Sequence, residues 1–377
     1  MRILMFSDSS PEYMPFIMQD VIEISKIHEL KYICTVSQYT EKYDNIDIEY
    51  IPYNLYNIKS KVRWRLENLD ISLNFRDKRF SRKLINVIEK FKPDLIHCQF
   101  GYEALKLFDN YNCENIPVII SFRGYDASYK LTRKVFVDRL KKILSADNVY
   151  ATFVCNNLRK NLEFRGIIIN RSIILYSGVN ADLFKRSRFD HARDPLRFLQ
   201  VGSFIEKKGQ IYTIKAFNRF LKNNPDVNAI LTFIGEGVLL DKCRKLTREL
   251  NLSGHVIFIG KLDHRSIVQY LENSHVFVHH SITASDGHQE GIPNSLIEAM
   301  AMELPVISTF HSGIPELVED DINGFLVNEK DIDSYADKME EILTWGYLKI
   351  NREKVVQSFN LEGHLKKILD LYEEVTA

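Results

Sequence analysis

Apolar residues in this chain alternate between short unbroken runs and longer stretches in which they recur every three or four positions. Residues 2–6 form the first run, residues 16–27 carry helical spacing, and residues 30–36 form a second run. A helix over 83–91 stops before Pro93, because the residue preceding a proline is pushed out of the α region. Runs at 95–98 and 117–122 follow, 173–180 closes this half, and the charged stretch 182–195 reads as a linker. The rhythm restarts at 196–202, with further runs at 229–235, 255–260 and 275–280. Unbroken apolar strands separated by helices mark parallel sheets covered on both faces. The pattern therefore predicts two doubly wound α/β halves, with ligands at the strand ends. A last helix over 361–375 is amphipathic through Leu361, Leu365, Ile368, Leu369 and Tyr372.

The densest chemistry lies in Glu290-Gly-Ile-Pro-Asn-Ser-Leu-Ile-Glu298. Pro293 suits a first helical turn, where its missing N–H costs nothing. Residues 295–302 then read as helix, with Leu296, Ile297, Met300 and Ala301 available for burial. Glu290 thus falls just before a helix start and Glu298 on the helix. Free N–H groups and the helix dipole at such a start bind anions. Carboxylates beside them suit hydroxyls attached to the anion, as in a sugar nucleotide. Capping and dipole pairing would also account for glutamates near a helix start. The surroundings favour the ligand reading: a β-like run precedes the stretch, and Ser312-Gly-Ile-Pro-Glu-Leu-Val318 opens a second helix after another apolar strand.

Residues 276–327 resemble the C-terminal signature of retaining glycosyltransferase family 4, of the GT-B fold. The resemblance is carried by Glu290-Gly-Ile-Pro through Glu298-Ala-Met-Ala, Leu304-Pro-Val-Ile, Gly313-Ile-Pro-Glu-Leu-Val and Asn323-Gly-Phe-Leu-Val, and extends more weakly over most of the chain. It is similar above all to bacterial exopolysaccharide and lipopolysaccharide transferases. The resemblance implies two Rossmann-like domains facing across a cleft: an acceptor domain over 1–185 and a donor domain over 194–355. The C-terminal helix, 356–377, is expected to pack back on the first. It implies a nucleoside-diphosphate sugar, UDP- or GDP-linked, as co-substrate, with no metal and no other cofactor. Glu290 is expected to hold sugar hydroxyls near the reacting carbon and Glu298 the ribose. The backbone from Gly291 through Ile292 and Pro293 to Asn294 is expected to meet phosphate and sugar, Pro293 having no N–H to offer. Lys208 is expected to stabilise the departing diphosphate, with Ser203, Lys207 and Leu262 also in the donor site.

Two positions depart from the family pattern. Ser203, in Gly202-Ser-Phe-Ile-Glu-Lys-Lys-Gly209, stands where related transferases usually carry arginine, so a hydroxyl replaces a bidentate guanidinium. Lys207 is either a compensating cation or a surface lysine. Arg123, in Ile120-Ser-Phe-Arg-Gly-Tyr-Asp126, takes the place of a histidine that lies near the donor sugar. Arg123 is counted with the catalytic candidates, toward sugar hydroxyls, a carboxylate or a phosphate. Gly124 allows close backbone approach. Asp126 either caps a helix or orients Arg123. His97 is a further cleft candidate, or a satisfied strand-end histidine.

The net charge of zero hides an asymmetry: residues 1–190 sum to +7 and residues 191–377 to −7. Within 56–92 there are 11 basic and 4 acidic residues, interleaved with Trp64, Phe75 and Phe80, and 130–142 is a second basic stretch. Both fit an anionic membrane surface or, equally, a solvated helix face. No nucleic-acid motif accompanies the charge. Cys34, Cys98, Cys113, Cys155 and Cys243 lack paired spacing and read as reduced thiols of a cytoplasmic protein. No secretory leader is read at the start, and no apolar run is long enough to span a bilayer. His275, His279, His280 and His288 with Asp286 lack tight ligand spacing, and Asp331-Ile-Asp333 reads as a helix cap rather than a metal motif.

The expectation is therefore a retaining, metal-independent glycosyltransferase of bacterial surface polysaccharide synthesis. Its acceptor is expected to be a lipid-linked glycan, met by a cytoplasmic protein peripheral on the inner face of the membrane. The alternatives are a degenerate sugar-nucleotide-binding scaffold subunit and a GT-B sugar-nucleotide epimerase.

Overall fold

A computed structural model describes residues 1–8, 14–35, 43, 45–52, 78–188 and 194–377. Of the basic stretch 56–92, residues 56–77 lie outside the described residues. The chain divides into two units: Met1–Leu175 with Leu365–Ala377, and Tyr176–His364.

The first unit runs β1 (Arg2–Ser7), α1 (Pro15–Ser25), β2 (Glu29–Cys34), β3 (Asp47–Tyr50), α2 (Lys78–Phe91), β4 (Leu95–Cys98), α3 (Gly101–Asn110), β5 (Val118–Phe122), α4 (Lys134–Leu144), β6 (Val149–Phe153), α5 (Asn156–Phe164) and β7 (Ser172–Ile174). Its strands pair in parallel in the order β3-β2-β1-β4-β5-β6-β7. Ile3, Leu4, Met5 and Phe6 are all fully buried. Burial at successive positions means that both faces of this central strand are covered, which is why the run is unbroken rather than alternating. The apolar pattern does not mark β3, whose sequence Asp-Ile-Glu-Tyr is half-exposed at a sheet edge.

The second unit runs β8 (Leu196–Val201), α6 (Gln210–Asn223), β9 (Ala229–Ile234), α7 (Leu240–Glu249), β10 (Val256–Gly260), α8 (His264–Glu272), β11 (Val276–Val278), α9 (Asn294–Ala301), β12 (Val306–Thr309), α10 (Ile314–Leu317), β13 (Phe325–Val327), α11 (Ile332–Glu341) and α12 (Lys349–Ser358). Its parallel sheet has the order β10-β9-β8-β11-β12-β13. An aromatic core built from Phe198, Phe217, Phe220 and Phe233 fills the space between sheet and helices. Asp331 caps α11, its carboxylate accepting from the Ser334 N–H at 3.0 Å.

The expected boundary at 185 moves back to 175. Phe184 is buried, and the Arg186 guanidinium donates to the carbonyls of Leu271, Glu272 and Met302, tying this segment to the second unit. The expected helix over 356–377 is two helices. α12 lies in the second unit, and α13 (Leu361–Thr376) starts in the second and belongs to the first from Leu365 onward. There Ile368, Leu371, Tyr372 and Val375 complete the core formed by α1, β1 and β2.

Gly209 joins the loop after β8 to α6 at φ +62°, and a Cβ there would lie 1.7 Å from the His280 carbonyl oxygen. Gly209→Ala combines left-handed strain with a backbone clash and is expected to destabilise the protein by at least about 3 kcal/mol. Gly254→Ala, where a Cβ meets nothing within 4 Å, is expected to stay within about 0.5 kcal/mol of the parent. Chemical denaturation of both variants measures the difference.

Candidate active site

Both sheets change winding direction in the middle, between β1 and β4 and between β8 and β11. At such a point the loops diverge and leave a crevice beyond the carboxyl ends of the strands. In the second unit the crevice is flanked by residues 202–209, after β8, and by residues 279–293, after β11.

The lysine backbones are fixed before their side chains act. Gln200 of β8 donates to the Lys208 carbonyl at 2.8 Å, and the Ile282 N–H donates to the Lys207 carbonyl at 3.0 Å. Both amines then lie 3.1 Å from Glu290 Oε1. Glu290 is 8% exposed. Burial works against its ionisation, but Lys208 and then Lys207 outweigh that cost and hold the carboxyl well below the usual range. Burial lowers Lys208, and Glu290 pulls it back. Lys207 also donates to His288 Nε2 at 3.1 Å. It is therefore part of the cluster rather than a surface lysine.

Glu298 lies on α9, one helix turn beyond the crevice rim. Pro293 is the N-cap of α9, one position before the expected first turn, and Asn294 begins the helix. Ser295 anchors this start by donating to the Val201 carbonyl at 2.9 Å. Gly291, Ile292 and Pro293 are buried, and the Gly291 carbonyl accepts from the Gly313 N–H at 3.3 Å. Among the described residues the Glu298 carboxylate has no hydrogen-bond partner. Burial pushes it up to about 7, with Lys208 only partly offsetting the shift. Ser203 is exposed at the loop tip, and Leu262 is half-buried just after β10.

The histidines separate into distinct roles instead of gathering. His275 Nδ1 accepts from the Arg197 N–H, and His280 Nε2 accepts from the Lys330 N–H with its ring stacked on Tyr212 and Tyr335. His279 bonds Ser281 through Nδ1 and approaches the Lys208 side of the crevice. Burial lowers His279 and His280 to about 3 and His288 to about 4, so all three are neutral at pH 7.

In the first unit Arg123 follows β5. Its guanidinium donates to Gln99 Oε1 at 2.8 Å, lies 3.8 Å from Asp20 and covers the Phe16 ring. Among the described residues Asp126 bonds backbone N–H groups only, while the Arg123 guanidinium is held by Gln99 and Asp20. Asp126 accepts from the Gly101 N–H at the start of α3, and from the N–H groups of Arg123 and Gly124. His97 is corrected. It is fully buried within β4, between Tyr372 Oη at 2.7 Å and Ser121 Oγ at 2.8 Å, and fastens α13 to the sheet. Sequence reasoning missed Gln99 and the buried Glu103, which accepts from Ser7 Oγ and the Asp8 N–H. Nothing in their spacing separates them from ordinary polar residues after a strand.

Residues 183–357 match the profile described as glycosyl transferases group 1. The amylovoran biosynthesis glycosyltransferase AmsK of Erwinia amylovora is 38% identical over 252 residues, 65% of this chain and 60% of that protein. The UDP-Gal:alpha-D-GlcNAc-diphosphoundecaprenol alpha-1,3-galactosyltransferase of Escherichia coli is 28% identical over 323 residues, 80% of this chain and 81% of that protein. The chain spans 60% or less of several curated relatives it matches, including two colanic acid transferases at 46%. Sucrose-phosphate synthase from Thermosynechococcus elongatus superposes with a TM-score of 0.77 at 20% identity, over 99% of this chain and 98% of that one. HepE of Anabaena in complex with UDP-glucose gives 0.76 at 16% identity, over 99% and 100%. These likenesses establish the GT-B fold.

The state of Glu298 has a measurable consequence. Its carboxyl titrates higher in the folded protein than in the unfolded chain, so the folded state binds the extra proton between about pH 4.5 and 7. Its contribution to stability is complete below that window and is lost as pH rises through it. Glu298→Gln, which cannot ionise, is expected to match the parent near pH 4.5 and to melt higher at pH 8. Equal melting temperatures at pH 8 in thermal scans would show that the buried carboxylate carries no penalty.

Proposed function

We propose that this protein is a retaining, metal-independent glycosyltransferase that moves a sugar from a nucleoside-diphosphate sugar to an acceptor hydroxyl during bacterial surface-polysaccharide synthesis. The observation that carries the reading is the pair of unlike carboxylates on either side of the α9 start. Glu290 is ionised between two lysines, and Glu298 is buried with no hydrogen-bond partner among the described residues. Two lysines against one ionised glutamate leave a surplus cation in the crevice, which suits a diphosphate. The second Glu290 oxygen remains to accept from sugar hydroxyls, and Glu298 to accept from the ribose.

In the proposed reaction the bond from the sugar anomeric carbon to the diphosphate breaks. The bond to the acceptor oxygen forms on the same face, and the acceptor proton passes to the departing diphosphate oxygen. Lys207 and Lys208 stabilise the charge that develops on that oxygen, the work a divalent cation does elsewhere. Arg123 remains a candidate for a sugar or phosphate contact, with its charge already shared by Asp20. One relative, named as a UDP-Gal:alpha-D-GlcNAc-diphosphoundecaprenol alpha-1,3-galactosyltransferase, supports a UDP-linked donor and a lipid-linked glycan here.

The experiment is turnover with a panel of UDP- and GDP-sugars in the presence of EDTA, with anomeric configuration read by NMR. Activity is expected to survive chelation and the product to keep the donor configuration. Glu290→Gln is expected to lower kcat at least about 100-fold. It leaves two lysines without their counter-charge, so it is also expected to lose about 3 kcal/mol of stability, regained in part when nucleoside diphosphate is added. An inverted product, strict dependence on added manganese, or an unimpaired Glu290→Gln would each refute the assigned chemistry.

No helix among the described residues is long and apolar enough to cross a membrane. For contact with a lipid-linked acceptor at a membrane surface, α2 supplies a candidate. Phe80, Leu84 and Ile88 are buried, while Lys78, Arg79, Arg82, Lys83 and Lys90 form its exposed face. A helix leading into a parallel strand runs against the strands, so Lys78 to Lys83 lie at the carboxyl end of the sheet, the end where ligands bind. Each basic residue near an anionic bilayer contributes about 1 kcal/mol. Serine at Lys78, Arg79, Arg82 and Lys83 together is expected to reduce sedimentation with anionic liposomes at least tenfold. High salt is expected to weaken the parent in the same way. Equal binding to neutral and anionic liposomes would remove α2 from the proposal.

A further inference from the structure

The loop that presents Glu290 is held at both ends by one carboxylate from a different strand. Glu329, in the segment after β13, accepts from the Thr283 N–H at 2.7 Å and from Thr283 Oγ1 at 3.1 Å. Its Oε1 also lies 2.5 Å from His311 Nδ1. His311, in the segment after β12, is fully buried, and its Nε2 accepts the backbone N–H of Glu290 at 3.1 Å. Only an unprotonated ring nitrogen accepts from an N–H. The proton is therefore on Nδ1 and is donated to Glu329, and the second hydrogen bond selects the tautomer that the first requires. Glu329 is held below the usual carboxylate range because hydrogen bonds from His311 and Thr283 outweigh its burial. The result is a closed chain of contacts: Thr283 to Glu329, Glu329 to His311, His311 to Glu290. It pins residues 283 and 290, the two ends of the segment, while the Gly313 N–H holds the Gly291 carbonyl beside them.

We propose that His311 and Glu329 are a positioning pair that sets where the Glu290 carboxylate stands in the crevice, a role that rests on the reading of Glu290 as the sugar-holding residue. The physical need is specific. Lys207 and Lys208 approach the same Glu290 oxygen and would draw the side chain toward the β8 loop wherever its backbone allowed. A fixed backbone N–H keeps that pull from displacing the carboxylate, and a displacement of about 1 Å at a reacting centre costs about 100-fold in rate. Neither residue touches the reacting atoms, and neither replaces the lysines.

The test uses the full chain with His311→Phe, His311→Gln and Glu329→Ala, read by two independent measurements. Phenylalanine keeps the ring volume and removes both nitrogens, whereas the glutamine amide oxygen can accept in place of Nε2. Hydrogen–deuterium exchange of a peptide spanning 283–291 reads the clamp itself. His311→Phe and Glu329→Ala are expected to lose protection there by at least tenfold while the β8 to β10 peptides are unchanged, and His311→Gln is expected to retain most of it. Steady-state kinetics read the consequence. His311→Phe is expected to lower kcat 10- to 100-fold with the dissociation constant for UDP or GDP within about threefold of the parent, and His311→Gln is expected to recover most of the loss. Unchanged exchange in His311→Phe, or lost protection with unchanged kcat, overturns the proposal. So does a kcat loss that only follows the unfolded fraction and is not rescued by glutamine. If the parent protein turns over no sugar nucleotide, the transferase reading fails while the exchange data still decide whether the clamp exists.

Discussion

Glu290 is ionised where a lone carboxylate would take up a proton, because two lysine amines stand 3.1 Å from one of its oxygens. Much of the second unit serves that arrangement. β8 supplies Gln200 to hold the Lys208 backbone, Gly209 turns the chain away behind it, and Ser295 pins the following helix to the end of β8. Eight residues on, Glu298 is just as buried and has no such partner, so its carboxyl rises to about 7. Two carboxylates of one motif are thus shifted in opposite directions, because the lysines offset the burial of the first fully and of the second only in part. Lysine amines hold one as a carboxylate, and burial favours the proton on the other.

The first unit repeats the topology and fills its switch point differently. Around the ends of β1 and β4 it gathers Asp8, Glu103 and Lys106, with Asp8 bonded to each of the other two. Burial and Asp8 push Glu103 well above the usual carboxylate range. Beside them the Arg123 charge is shared with Asp20 and directed by Gln99. An anion entering there meets carboxylates as well as a guanidinium, whereas the second unit offers lysines in excess. The same backbone plan therefore carries mixed charge at the switch point of the first unit and paired lysines at that of the second.

Likeness to known proteins follows the same division. The family match lies within 183–357, which contains Lys207, Lys208, Glu290 and Glu298. The likeness in fold covers 98–99% of the chain at 15–20% identity. A parallel sheet asks only that both faces of each strand be apolar, which many sequences satisfy. A crevice that must hold ionised groups out of water asks for particular residues at particular places.

The class of fold, the order of the two halves and the Glu290–Glu298 motif were all legible in the sequence. Fully buried strands leave unbroken apolar runs, and a glycine–proline turn into an amphipathic helix is a local signal. Edge strand β3 escaped because half-exposed strands carry no such run. Asp331 was readable as a cap because its partner Ser334 is three residues away. The fate of His97 depends on Tyr372, 275 positions later, and that of Lys207 on His288 and Glu290, more than 80 positions away. The Glu290 backbone bond depends on His311 and, through it, on Glu329. Local composition determined which groups this protein has. Only the folded sheet, by bringing the ends of β8, β11, β12 and β13 to one edge, decided which of them are charged, which are paired and which are left open to a ligand. Those states are set by burial and by neighbours within a few ångströms, and distance along the chain carries no record of either.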